Sequence, residues 1–104
     1  MNWNSAENKQ LIKAILTLET PSEAKAFLRD LMTEGEINEF GKRLKTAEML
    51  NQKKLYIDIE KETGFSSTTV ARVSKWLNYG EGGYKSMLAK LHHHNPAKLG
   101  KGLS

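Results

Sequence analysis

The 104-residue chain has no cysteine and only two prolines, and no apolar run approaches the ~18 residues of a membrane-spanning helix. Without cysteine there can be neither disulfides nor thiolate metal sites, which agrees with a reducing compartment; a cytoplasmic location is expected. The start, Met1-Asn2-Trp3-Asn4-Ser5, shows no basic segment followed by an apolar one, so no secretory signal is expected. The chain also lacks a glycine-rich phosphate loop, a nucleophile motif and any metal-ligand spacing, so neither an enzyme nor a cofactor is expected. Scarce proline leaves room for long helices, and no alternation of apolar and polar residues suggests a strand.

What the chain does carry is charge, unevenly distributed. The net charge is +4. Residues 1–40 hold four basic and seven acidic side chains, and residues 41–104 hold twelve basic and five acidic ones. An acidic front and a basic back suggest that the back half meets a polyanion, although an ordinary solvated surface would look the same by charge alone.

Apolar spacing and capping signals predict five or six helices and an all-α fold. Leu11, Ile12, Ile15, Leu16 and Leu18 give a first amphipathic helix from about Ser5 to Leu18. Thr20-Pro21-Ser22-Glu23 starts a second, with Ala24, Phe27, Leu28, Leu31 and Met32 as its expected buried stripe. Thr33 and Glu36 repeat the capping logic before a stripe of Ile37, Phe40, Leu44, Ala47 and Leu50. A short helix is expected from Lys54 to about Thr63, ended by Gly64, then one capped by Ser66 and running to Asn78. After the break at Tyr79–Gly83, Tyr84, Met87, Leu88 and Leu91 suggest a last helix. Residues 1–94 are expected to form one domain, and 95–104 a flexible tail. Met32, Met49 and Met87 read as core filler, and Trp3 as either an interface residue or part of a loose start.

Residues 55–77 read LYIDIEKETGFSSTTVARVSKWL. A helix-turn-helix needs two short helices joined by a tight turn, with a small residue in the turn and apolar anchors beyond it. Gly64 supplies the turn, Ile59 and Phe65 flank it, and Val70, Val73 and Leu77 fall on one face. The opposite face carries Thr68, Ala71, Arg72 and Lys75. No acid occurs between Gly64 and Gly80, as an approach to phosphates requires. Ser66, Ser67, Thr68, Thr69, Arg72 and Lys75 are the candidate DNA-binding residues. The plain alternative is a helical corner with Ser/Thr caps in a protein-interaction or dimerisation module; structured RNA is a further candidate partner.

The phrase GFSSTTVARVSKWL, preceded in register by EGEINEFGKRLKTAEML, resembles the Trp repressor superfamily, especially its YerC/YecD-type branch. The resemblance covers roughly residues 10–92. It implies an intertwined helical homodimer that binds double-stranded DNA as a transcriptional regulator, commonly a repressor, on a roughly palindromic operator. It also implies an effector pocket at Thr33, Arg43, Thr69 and Arg72. One departure argues against tryptophan as effector: Val73 stands where the tryptophan-binding protein has glycine, and Trp76 replaces a small residue. His92-His93-His94 does not resemble a metal site, because consecutive helical residues point about 100° apart. Glu60, Lys61 and Glu62 read as an exposed helix face.

Overall fold

A computed structural model describes residues 1–93. The expected tail, 95–104, and His94 of the histidine run lie outside the described residues. Six helices follow one another: α1 (Ala6–Leu16), α2 (Pro21–Leu31), α3 (Glu34–Asn51), α4 (Tyr56–Thr63), α5 (Ser67–Tyr79) and α6 (Gly83–His93). There is no strand among the described residues, so the all-α expectation holds. No helix among them is long and apolar enough to cross a membrane. The chain forms two compact units, Met1–Asn38 and the residues from Glu39 onward.

In the first unit, local hydrogen bonds fix the helix starts. The Ser5 hydroxyl accepts from the Asn8 amide at 3.2 Å and begins α1. The Thr20 hydroxyl accepts from the Glu23 amide at 3.1 Å, with Pro21 in the first turn of α2. The Glu23 carboxylate reaches one residue further back than in a regular capping box and accepts from the Glu19 amide at 2.8 Å. Thr33 and Glu36 close the reciprocal box: the Glu36 amide donates to the Thr33 hydroxyl at 3.1 Å, and the Thr33 amide to the Glu36 carboxylate at 2.9 Å. Each such cap contributes roughly 1 kcal/mol.

The apolar stripes of this unit are not buried as the sequence led us to expect. Neither α1 nor α2 contains a single buried residue. Leu16 is 78% exposed, Trp3 58%, Leu31 48% and Ile15 46%. Helical periodicity marks which face is apolar; it does not say whether one's own chain covers that face. Met32 is half-buried rather than core.

The second unit holds the core, in two adjoining clusters. One contains Met49, Ile59 and Val70, with Phe65 packed against it. The other contains Ala47, Val73, Leu77 and Leu88, with Tyr84 packed against it; Leu50 touches both. Helix α5 is therefore the shared element, placing Val70 in one cluster and Val73 and Leu77 in the other. Phe40, Leu44, Met87 and Leu91, expected in buried stripes, remain exposed, so Met87 is not core filler here.

Two substitutions test this division of the core. Ile59→Ala removes a fully buried side chain and is expected to lower unfolding free energy by about 2–5 kcal/mol in urea denaturation. Thr46 is also fully buried, and its hydroxyl has no hydrogen-bond partner. Thr46→Val keeps the shape and removes the orphaned group, and the same assay should show a gain of about 1 kcal/mol.

Candidate nucleic-acid interface

The corner between α4 and α5 is built from backbone geometry outward. Gly64 ends α4 with φ 78°, and its amide donates to the Glu60 carbonyl at 2.8 Å. A side chain at that φ is strained, so glycine is the residue that suits this turn. Thr63, a buried residue that composition and spacing did not single out, pins the turn from inside. Its hydroxyl donates to the Ile59 carbonyl at 2.8 Å and accepts from the Phe65 amide at 3.2 Å. A threonine between a charge run and a glycine carries no sequence signal for such a role.

Ser66 then starts α5. Its hydroxyl accepts from the Thr69 amide at 3.2 Å and shares a 3.1 Å hydrogen bond with the Thr69 hydroxyl. These two candidate residues thus bind each other, and Thr69 is half-buried. Ser67, Thr68, Arg72 and Lys75 are exposed. The amides of Ser67 and Thr68 lie in the first turn, where no intrahelical acceptor exists, and that turn carries no acid. Such an end attracts anions.

At about 100° per residue, Thr68, Arg72 and Lys75 fall within a ~60° arc, and the anchors Val70, Val73 and Leu77 fill a second arc diametrically opposite. Val70 and Val73 are 0% exposed and Leu77 5%, so the anchor arc fixes which way the other arc faces. Tyr79, which the sequence reading assigned to the break, is the last residue of α5 and continues the outer stripe one turn beyond Lys75; it is 85% exposed. Among the described residues neither Arg72 nor Lys75 forms an ion pair.

The residues expected to hold an effector are placed as follows. Thr33 belongs to the first unit, where its hydroxyl serves the capping box. Thr69 is engaged with Ser66, and Arg72 stands free on the outer stripe. Arg43, on α3, is the most heavily partnered. Its guanidinium lies 5.2 Å from the centroid of the Phe40 ring and 5.3 Å from that of the Trp76 ring, and its Nε is 3.4 Å from the Glu39 carboxylate. Burial pushes the nearby Tyr84 phenol above the usual tyrosine value, and the Arg43 charge pulls it partly back. Beside Trp76 opens an apolar hollow of about 590 Å³, lined by Leu44, Tyr84 and Met87 among others. Val73 lies entirely within the core next to Ala47. Among the described residues no three His, Asp or Glu side chains stand together as metal ligands would.

A capped helix offering an acid-free polar stripe across a glycine corner, on an all-helical scaffold, defines a helix-turn-helix protein of the DNA-binding kind. Residues 6–92 match the family described as Trp repressor protein. The chain is 40% identical over 85 residues to the uncharacterized protein YerC of Bacillus subtilis strain 168, covering 82% of each. Its fold matches the crystal structure of a TrpR-like protein from Eubacterium eligens with a TM-score of 0.83 and 37% identity, over 86% of this chain and 93% of that one. A Staphylococcus aureus crystal structure matches with a TM-score of 0.82 and 36% identity, over 88% and 95% of the two chains. The chain therefore belongs to the Trp repressor family, a family of helix-turn-helix DNA-binding regulators.

The corner itself is open to test. A Cβ added at Gly64 would meet nothing within 4 Å, so the cost of Gly64→Ala is purely conformational. Chemical denaturation should show a loss of about 1–2 kcal/mol.

Proposed function

We propose that the protein is a sequence-specific transcriptional regulator, a repressor, which acts as a homodimer on a roughly palindromic operator. The observation that carries this reading is the exposed stripe of α5, Thr68–Arg72–Lys75, held opposite three buried anchors and free of acids. Repression follows from occupancy. Lysines and helix-end amides neutralise phosphates and set the register, and the first turns of α5 reach the base edges. Arg72 has the length and the planar donor fork to pair with a guanine edge. Lys75, beside it, meets the phosphate backbone. Family membership supports this assignment, and so does the excess of basic residues after residue 40.

The homodimer is argued from uncovered apolar surface. Trp3, Ile12, Ile15 and Leu16 in the first unit and Leu44, Met87 and Leu91 in the second are all exposed in the single chain. Single exposed leucines are ordinary, but two helices that bury nothing need a cover. A second copy of the same chain supplies it, and two-fold pairing would place the two reading helices about one DNA turn (~34 Å) apart.

The decisive experiment is selection of bound sites from a random duplex pool, followed by salt titration with duplex DNA and structured RNA as competitors. We expect a palindromic consensus, and an affinity for it that falls steeply with salt. Absence of DNA binding at low salt would return the protein to the interaction-module reading. On the selected site, Arg72→Ala should cost about 1–3 kcal/mol and relax preference at one base position, whereas Lys75→Ala should weaken all sequences alike. Light scattering should give twice the 11.7 kDa chain mass, and the double substitution Ile12→Glu/Leu16→Glu should halve it.

A further inference from the structure

The surroundings of Arg43 have a consequence for how α5 is held. The guanidinium carbon lies over two rings, Phe40 from its own helix and Trp76 from α5. Its edge is engaged by Glu39. A guanidinium within about 6 Å of a ring centroid is attracted by the ring, and both rings meet that distance. Trp76 is not a core residue: it is 39% exposed, and Phe40 43%. The Arg43 cation is thus a specific partner of the partly exposed indole, at the edge of the apolar hollow lined by Leu44, Tyr84 and Met87.

The position of Trp76 on α5 gives this contact its leverage. Trp76 lies one turn beyond Arg72, about 40° around the helix from it, on the flank next to the reading stripe. The anchors Val73 and Leu77 set the depth of α5 in the core. The buried arc sets which face of α5 points outward, and a directional contact on one flank narrows the rotation that remains about the helix axis. On the other flank, Asn78 donates to the Ser74 carbonyl of its own helix at 3.0 Å. Just past Trp76, the Gly80 amide donates to the Trp76 carbonyl and ends α5, and a Cβ at Gly80 would collide with that oxygen.

We propose that Trp76 is the positioning residue of the reading helix, and that its indole is the resident occupant of an aromatic-stacking site on Arg43. No diffusible aromatic ligand is then needed to set α5, because an indole of the chain itself already lies against Arg43. This proposal rests on the DNA-binding reading and specifies its regulation: operator affinity is indifferent to free indoles.

The test combines a vacated site with chemical rescue. Trp76→Ala is expected to weaken operator binding about fivefold, the scale of one exposed cation–π contact. Free indole added to that variant should restore affinity saturably and raise its Tm. Trp76→Phe, which keeps a ring, should bind within about twofold of the unaltered protein, and it remains informative if Trp76→Ala does not fold. Neither indole nor L-tryptophan should change operator binding by the unaltered protein, whose Arg43 side-chain protons should show an upfield ring-current shift by NMR. The proposal is overturned if either compound tightens operator binding by the unaltered protein, if Trp76→Ala binds as tightly as the parent, or if indole fails to rescue it. Failure of the unaltered protein to bind any duplex would instead sink the regulatory reading; the ring-current shift and the indole-dependent Tm are read without DNA.

Discussion

Everything specific to the site depends on the burial of one short arc of α5. Val70, Val73 and Leu77 lie in the core with almost no exposure, and each fully buried side chain of this kind contributes about 1.5–3 kcal/mol. Because the three residues belong to two adjoining clusters, α5 is packed along its length by residues of α3, α4 and α6. A helix has only one circumference. Once that arc faces inward, Thr68, Arg72, Lys75 and Tyr79 must face outward. The same packing makes the corner dependable: Gly64 relieves the backbone where α4 ends, and Thr63 joins the turn to α4 by side-chain hydrogen bonds.

Around this arc the charges are arranged to leave the outer stripe unneutralised. Three ion pairs occur among the described residues, Arg29–Glu34, Arg43–Glu39 and Lys45–Glu48, and none includes a residue of α5. Exposed pairs of this sort contribute little to stability. Their relevance lies in which cations they leave out: among the described residues Arg72 and Lys75 belong to none of them. Arg43 behaves differently from both. Its charge is partnered by a carboxylate and two rings, so it acts inside the protein, between α3 and the flank of α5.

Local features were legible in the sequence because they depend on few neighbours. The hydroxyl caps at Thr20, Thr33 and Ser66 bond within three residues along the chain, and their side-chain chemistry is sufficient to specify them. The left-handed turn at Gly64 and the inward arc of α5 follow equally from residue type and helical period. Legibility failed where the outcome depends on what lies across a gap. The stripes of α1 and α2 were legible as apolar, but that the single chain leaves them unburied was not, because periodicity cannot say whether a face is closed by the same chain or left open. Tyr79 was misjudged for a smaller reason, since the glycines that follow it suggested an earlier end to the helix.

The sequence by itself determined the helical class, the caps, the turn and which residues of α5 face outward, since each follows from backbone preference or spacing within a few residues. The tertiary structure decided the rest. It set Ser66 and Thr69 against each other, left no residue of the first two helices buried, and brought the Arg43 guanidinium over the rings of Phe40 and Trp76. Arg43 and Trp76 are separated by thirty-two intervening residues. No local rule relates side chains that far apart; their meeting follows only when α3 and α5 bury Ala47, Val73 and Leu77 together.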